Sequence, residues 1–204
     1  MSEISISDLQ VGDLLLKFME ASASNVMIAG GQAILSHNLS GGHATTTHAA
    51  LYAGNGNVYE AGSGGIRCAA FRKGLTWSVH RYDNSAVAGM ASVIAEGYVA
   101  EKMRSEGGYG AYSKSGALGS MFHSSSRGTG ARAAESGLWG ADPNVPSSSF
   151  YCSSFVTRSY IAAGQTFDPV VVPIDADYRY VSPKELQACL NRSRSWTEVG
   201  RLVA

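Results

Sequence analysis

Hydrophobic residues along this chain follow two spacings, and the change between them falls near residue 85. Before that point, short apolar runs are bounded by turn residues. Val11-Gly-Asp-Leu-Leu-Leu-Lys17 reads as a buried strand entered through a Gly-Asp turn. His48-Ala-Ala-Leu-Tyr-Ala-Gly-Asn-Gly-Asn-Val-Tyr-Glu-Ala61 holds two β-like runs around a Gly-Asn-Gly-Asn centre, which predicts a hairpin. Gly65 to Phe71 and Trp77 to Tyr82 continue it as a small antiparallel meander. Residues 20 to 47, rich in Ala, Gly, Ser and Thr, show no clear period.

From Ser85 to Met103 the period lengthens. Val87, Met90, Ala91, Ile94, Tyr98 and Met103 recur every three to four residues, as on one face of an amphipathic helix. Residues 105 to 149 are dominated by Gly, Ser and Ala, an insertion too long for an ordinary loop. Phe150 to Gly164 predicts a second helix with Phe155, Val156, Ser159 and Tyr160 inward, N-caps offered by the serines at 147 to 149, and Gly164 as its C′ stop. Val170 to Ile174 reads as a short strand. Ser182-Pro-Lys-Glu185 is a capping box with Pro at the first helical position, opening a last helix. The order of elements is α+β, and 204 residues suit one domain over 1–204 carrying the 105–149 insertion.

Composition removes several functions. Sixteen Lys+Arg against sixteen Asp+Glu give zero net charge, and without a basic cluster nucleic-acid binding is excluded as an expectation. No stretch approaches 18 consecutive apolar residues, so no transmembrane segment is expected. The first residues lack a basic region followed by an apolar one, which implies synthesis in the cytoplasm without a Sec signal. Three cysteines, Cys68, Cys152 and Cys189, cannot all pair within one chain, so at least one thiol is free. Their spacing fits no zinc pattern. His43 and His48 lack a third ligand, and Gly54-Asn-Gly56 is too short for a phosphate loop, so no metal and no cofactor are expected.

Cys152 carries the most chemistry. In the first turn of a helix, a cysteine feels unpaired N–H groups and the positive end of the macrodipole, which favour thiolate. Such a nucleophile needs a base, usually His, and the His an orienting polar group. His48 opens an apolar strand, and Glu60 on the return strand can accept its second N–H. Hairpin parity tests this pairing. A two-residue turn on Asn55-Gly56 sets His48 and Glu60 on opposite faces; an odd-numbered loop or a bulge sets them on one. Cys68 and Cys189 read as small buried hydrophobes.

Phe150-Tyr-Cys-Ser-Ser-Phe-Val156 resembles the nucleophile helix of NlpC/P60 papain-like cysteine hydrolases. Val11-Gly-Asp-Leu-Leu-Leu16 is similar to their Gly-Asp-Leu strand, and the 48–61 segment to their His-bearing hairpin, with Glu60 at the third polar position. Cys152 comes last in the chain, which resembles the circularly permuted branch containing YiiX-like proteins and the lecithin–retinol acyltransferase group. Gly110-Ala-Tyr112, with Tyr109, is similar to a Gly/Tyr stretch of that branch. Tyr151 stands where many peptidoglycan-cleaving members have Asp.

The resemblance implies a permuted papain-like fold, an antiparallel sheet packed against helices, and a cysteine peptidase or amidase using Cys152, His48 and Glu60. It implies peptidoglycan stem peptides as substrate. Joined to the absent Sec signal, it suggests an antibacterial type VI secretion effector acting in the target-cell periplasm, with a cognate immunity protein as partner. Two alternatives stay open: a lipid-directed acyl hydrolase or acyltransferase acting on an acyl ester, and a catalytically inactive binding module.

Overall fold

Leu14, Leu15 and Leu16 are all fully buried, as three successive apolar residues must be in a strand covered on both faces. In the computed structural model, which describes residues 2–18, 46–72, 74–104, 110–120, 128 and 149–203, they open the central strand β2 (Leu14–Phe18). The chain starts with β1 (Glu3–Ile4) and a 3-10 turn (Ile6–Asp8). After β2 come β3 (Thr46–Gly54), β4 (Asn57–Gly62), β5 (Gly65–Ala70) and β6 (Thr76–Tyr82). Helix α1 (Ser85–Arg104) follows, then β7 (Ala111–Tyr112), α2 (Lys114–Gly119), β8 (Ser149–Phe150), α3 (Cys152–Gln165), α4 (Pro183–Arg192) and β9 (Trp196–Val203).

Among the described residues seven strands form one sheet in the order β1-β9-β6-β2-β3-β4-β5, antiparallel except for the β1–β9 pair. The β3-β4-β5 meander is as expected from its turns. β2, however, sits between β6 and β3, so the second strand of the chain fills the sheet's centre. One face carries Leu14, Leu16, Ala49, Leu51, Tyr59 and Tyr82, which pack with residues of α1, α3 and α4 into the main core. The other carries Leu15, Ala50, Tyr52, Val58, Trp77 and Val79 in a smaller cluster. The fold is α+β, a large and mostly antiparallel sheet packed against helices. Among the described residues no helix is long and apolar enough to cross a membrane.

Several expectations need correction. β2 begins at Leu14, because Val11 and Gly12 form the turn that precedes it. Residues 170–174 make no strand. Val170 and Val172 are exposed, and the Val171 N–H donates to Gly164 O of α3 instead of to a strand. Gly164 lies inside α3, which ends at Gln165 with Thr166 as a right-handed C-cap. The glycine is there for close approach, since a Cβ on it would come 2.0 Å from Val171 O. Ser149 lies in β8, and the N-cap of α3 is Tyr151. On α1, Met103 is exposed and Val99 takes the inward place.

The chain also forms a strand that the pattern above does not predict. Trp196 to Val203 forms β9 beside β6, with Trp196, Gly200 and Leu202 buried and Thr197 and Arg201 exposed. The capping box at Ser182 is present as expected, with Pro183 in the first turn of α4. Tyr109 and most of the 105–149 segment lie outside the described residues, as do residues 19–45.

Candidate active site

The β3–β4 hairpin closes on Asn55-Gly56, both with positive φ (52° and 71°), as a two-residue turn of the primed type requires. By parity this turn sets Glu60 opposite Leu51, on the face away from His48. A bulge between Tyr52 and Gly54 prevents that. Beyond it the register pairs Tyr52 with Val58 and Ala50 with Glu60, which returns Glu60 to the face of His48. The two are diagonal neighbours, not directly opposite. Their side chains meet, with His48 Nε2 and Glu60 Oε2 at 2.8 Å.

The next turn adds a residue that sequence reasoning missed. Gly62 pairs with Gly65, so Glu60 faces Arg67 of β5. Arg67 donates Nε at 2.9 Å and Nη2 at 2.5 Å, both to Glu60 Oε1. The signal was present: a two-residue turn on Ser63-Gly64 sets residues 60 and 67 opposite by the same parity rule. Burial alone would raise the Glu60 pKa, but His48 and Arg67 outweigh it and bring the carboxyl down to about 2.

Cys152 is the first residue of α3, 5% exposed. Tyr151 caps the helix with extended backbone (φ −117°, ψ 168°) and no side-chain cap bond, so the first-turn N–H groups are left for other acceptors. The thiol lies within reach of the His48 ring and of the backbone N–H groups of Ala49 and Ser153. Burial opposes ionisation here, yet the imidazolium, the N–H donors and the helix start hold the thiol below its ordinary value. His48 responds in kind. Burial would lower it, while the Cys152 thiolate and the Glu60 carboxylate raise it to about 9. Because Nε2 is taken by Glu60, Nδ1 is the ring nitrogen left for the thiol. The arrangement favours a thiolate–imidazolium pair with its orienting carboxylate already in place.

Two tyrosines border the thiol. β7 pairs parallel with β8, setting Tyr112 beside Phe150 and close enough to Cys152 to feel its charge. Burial first, and then the Cys152 charge, push the Tyr112 phenol up, so it stays an O–H donor. Tyr151 is pushed up for the same reasons and donates its hydroxyl to Tyr178 O at 3.3 Å. Trp77 stands against His48, ring centroids 6.1 Å apart.

The structure thus brings Cys152, His48 and Glu60 together. The other cysteines do not match their expected burial: Cys68 is exposed on the edge strand β5, and Cys189 is half-buried in α4. Edge position explains Cys68, whose strand has a sheet neighbour on one side only among the described residues. His43 lies outside the described residues, among which no group of three or more His, Cys, Asp or Glu is placed to hold a metal ion. No family model matches the chain, and no curated protein matches it.

Proposed function

We propose that this chain is a cysteine hydrolase with a permuted papain-like fold, acting through Cys152, His48 and Glu60. The observation that carries the reading is the His48 ring, bound at Nε2 to Glu60 and facing a helix-start thiol held below its ordinary pKa. In the reaction, the Cys152 thiolate attacks the carbonyl carbon of an amide. N–H groups at the start of α3 and the Tyr112 hydroxyl take the negative oxygen. His48 gives its proton to the leaving nitrogen, the C–N bond breaks and an acyl thioester remains. Water then attacks the thioester as His48 takes its proton, and the thiolate departs with the acid released. Glu60 supports the imidazolium in both steps.

Peptidoglycan stem peptides are the substrate proposed, on the resemblance of the nucleophile helix and hairpin to NlpC/P60 hydrolases. The test digests purified sacculi and, separately, phospholipid vesicles. New amine termini from sacculi, absent with Cys152→Ala, support the proposal. Free fatty acid from vesicles instead shifts the substrate to acyl esters. Product in neither, with full activity of the Cys152→Ala protein in any assay found for it, removes the catalytic reading and leaves a binding module.

A further inference from the structure

Glu60 has two carboxylate oxygens, and they are divided between two partners. Oε1 receives both Arg67 bonds, and Oε2 meets His48. A carboxylate held at one oxygen by two guanidinium N–H groups cannot rotate away from its second partner without breaking them. We propose that Arg67 is a positioning residue of this site: it locks the Glu60 carboxylate so that one oxygen stays committed to His48.

Its location supports the role. β5 is the edge strand at this end of the sheet, yet its start is pinned. Lys102 of α1 donates to Gly64 O and Ile66 O, and the Ile66 N–H donates to Gly110 O just before β7. A Cβ on Gly65 would come 2.3 Å from Gly110 O, so the strand and the segment leading to Tyr112 are closely fitted. Arg67 therefore reaches Glu60 from a strand held not only by its pairing with β4 but also by α1 and the segment before β7.

Charge gives the lock a chemical consequence. Thiolate, imidazolium, carboxylate and guanidinium alternate in sign along Cys152, His48, Glu60 and Arg67, and they sum to zero. Other titratable groups face this row: Lys17 of β2, in register with His48, and Tyr112 and Tyr151 beside Cys152. Cys68, next to Arg67, interacts instead with Glu96 of α1. Without Arg67 the row carries one net negative charge, and a loose carboxylate holds the imidazole less well. Both changes act against the thiolate, so the thiol's acid limb moves to higher pH.

The inference rests on the thiolate reading of the site, and one experiment separates the two. The full chain is alkylated with iodoacetamide across pH 5–10, with Cys152 labelling resolved from Cys68 and Cys189 by peptide mass spectrometry. Wild-type Cys152 should react with a midpoint below the ~8.5 of an ordinary thiol. Arg67→Ala, and Arg67→Met, which keeps the packed stem, should raise that midpoint by about one unit, or about tenfold in rate on the acid limb. Arg67→Lys, which restores the charge, should recover most of it. A low wild-type midpoint unmoved in folded Arg67→Ala and Arg67→Met overturns the Arg67 role alone. An ordinary wild-type midpoint overturns the thiolate reading and this role with it.

Discussion

Glu60 reaches His48 across a diagonal of the β3–β4 hairpin, Oε2 to Nε2 at 2.8 Å, because a bulge after Tyr52 shifts the register by one residue. With Ala53 in the chain, the contact depends on leaving that residue unpaired, since pairing it with Val58 would set Glu60 against Leu51. Deleting Ala53 removes the bulge without changing the pairing: Tyr52 still meets Val58 and Ala50 still meets Glu60, so Glu60 stays on the face of His48. The deletion should therefore leave the pH midpoint of Cys152 alkylation unchanged, and a midpoint raised to that of an ordinary thiol would show that the bulge itself holds the contact.

The carboxylate itself is testable without touching the register. Glu60→Gln keeps the size and an acceptor oxygen but removes the charge that supports the imidazolium. Turnover should fall about 10²-fold, within the span of general acid–base contributions. The His48 imidazolium, which holds its proton up to about 9 in the parent, should titrate at lower pH, visible in the ring-proton NMR shift. An unchanged imidazole titration would remove Glu60 from the site.

His80 predicts acid sensitivity of the fold. It is 1% exposed on β6, with Ser78 Oγ 3.2 Å from its Nε2, and burial lowers its pKa from 6.5 to about 4. The unfolded chain therefore binds this proton first. Stability is complete above about pH 6.5 and is lost as pH falls toward 4, by about 2–3 kcal/mol. Urea denaturation at pH 7 and pH 4.5 reads the difference, and His80→Gln should flatten it. The Glu60 contribution is lost lower, between its ordinary 4.5 and about 2, so the two windows separate.

Asp13, within the Gly-Asp-Leu segment, is an architectural residue. Its carboxylate is 2% exposed and is gripped by Arg81 of β6, Nε to Oδ1 at 2.8 Å and Nη2 to Oδ2 at 2.7 Å. Asp13→Ala leaves Arg81 with only the Asp8 carbonyl among these partners and leaves the Gln10 N–H without its acceptor, and should cost about 2 kcal/mol. Cys152 alkylation of the folded variant should be unchanged.

Gly12 tolerates no side chain, for two independent reasons. Its φ is +91°, and a Cβ would stand 2.4 Å from Ala88 O of α1. Its carbonyl also accepts the Tyr160 hydroxyl of α3. Gly12→Ala forces α1 away from the sheet and should cost about 3 kcal/mol or more, roughly a 10 °C fall in Tm.

Local patterning determined much of this protein. Period and punctuation marked β3 to β6, α1, α3 and the capping box of α4, since each depends on contacts a few residues apart. Helix-start chemistry singled out Cys152, and parity showed which hairpin geometries join His48 to Glu60. Parity could not choose among them. A bulge has little local signature, and this one is selected by burial: the unbulged register places Glu60 in the apolar core and turns Tyr59 and Ala61 out of it. β9 was only partly legible: even spacing would put Trp196 and Leu202 on one face, but a bulge at Val199 beside β6 sends Trp196 to the main core and Leu202 to the smaller cluster. Residues 170–174 failed in the opposite sense, apolar enough for a strand yet packed against Gly164, with no strand beside them among the described residues. The position of β2 between β6 and β3, the burial of Cys152 against the exposure of Cys68, and the meeting of Arg67 with Glu60 on one side and His48 with Cys152 on the other were decided by tertiary structure alone. These depend on which elements share an edge or a face, and pairs such as His48 and Cys152 lie far apart in the chain, where no periodicity links them.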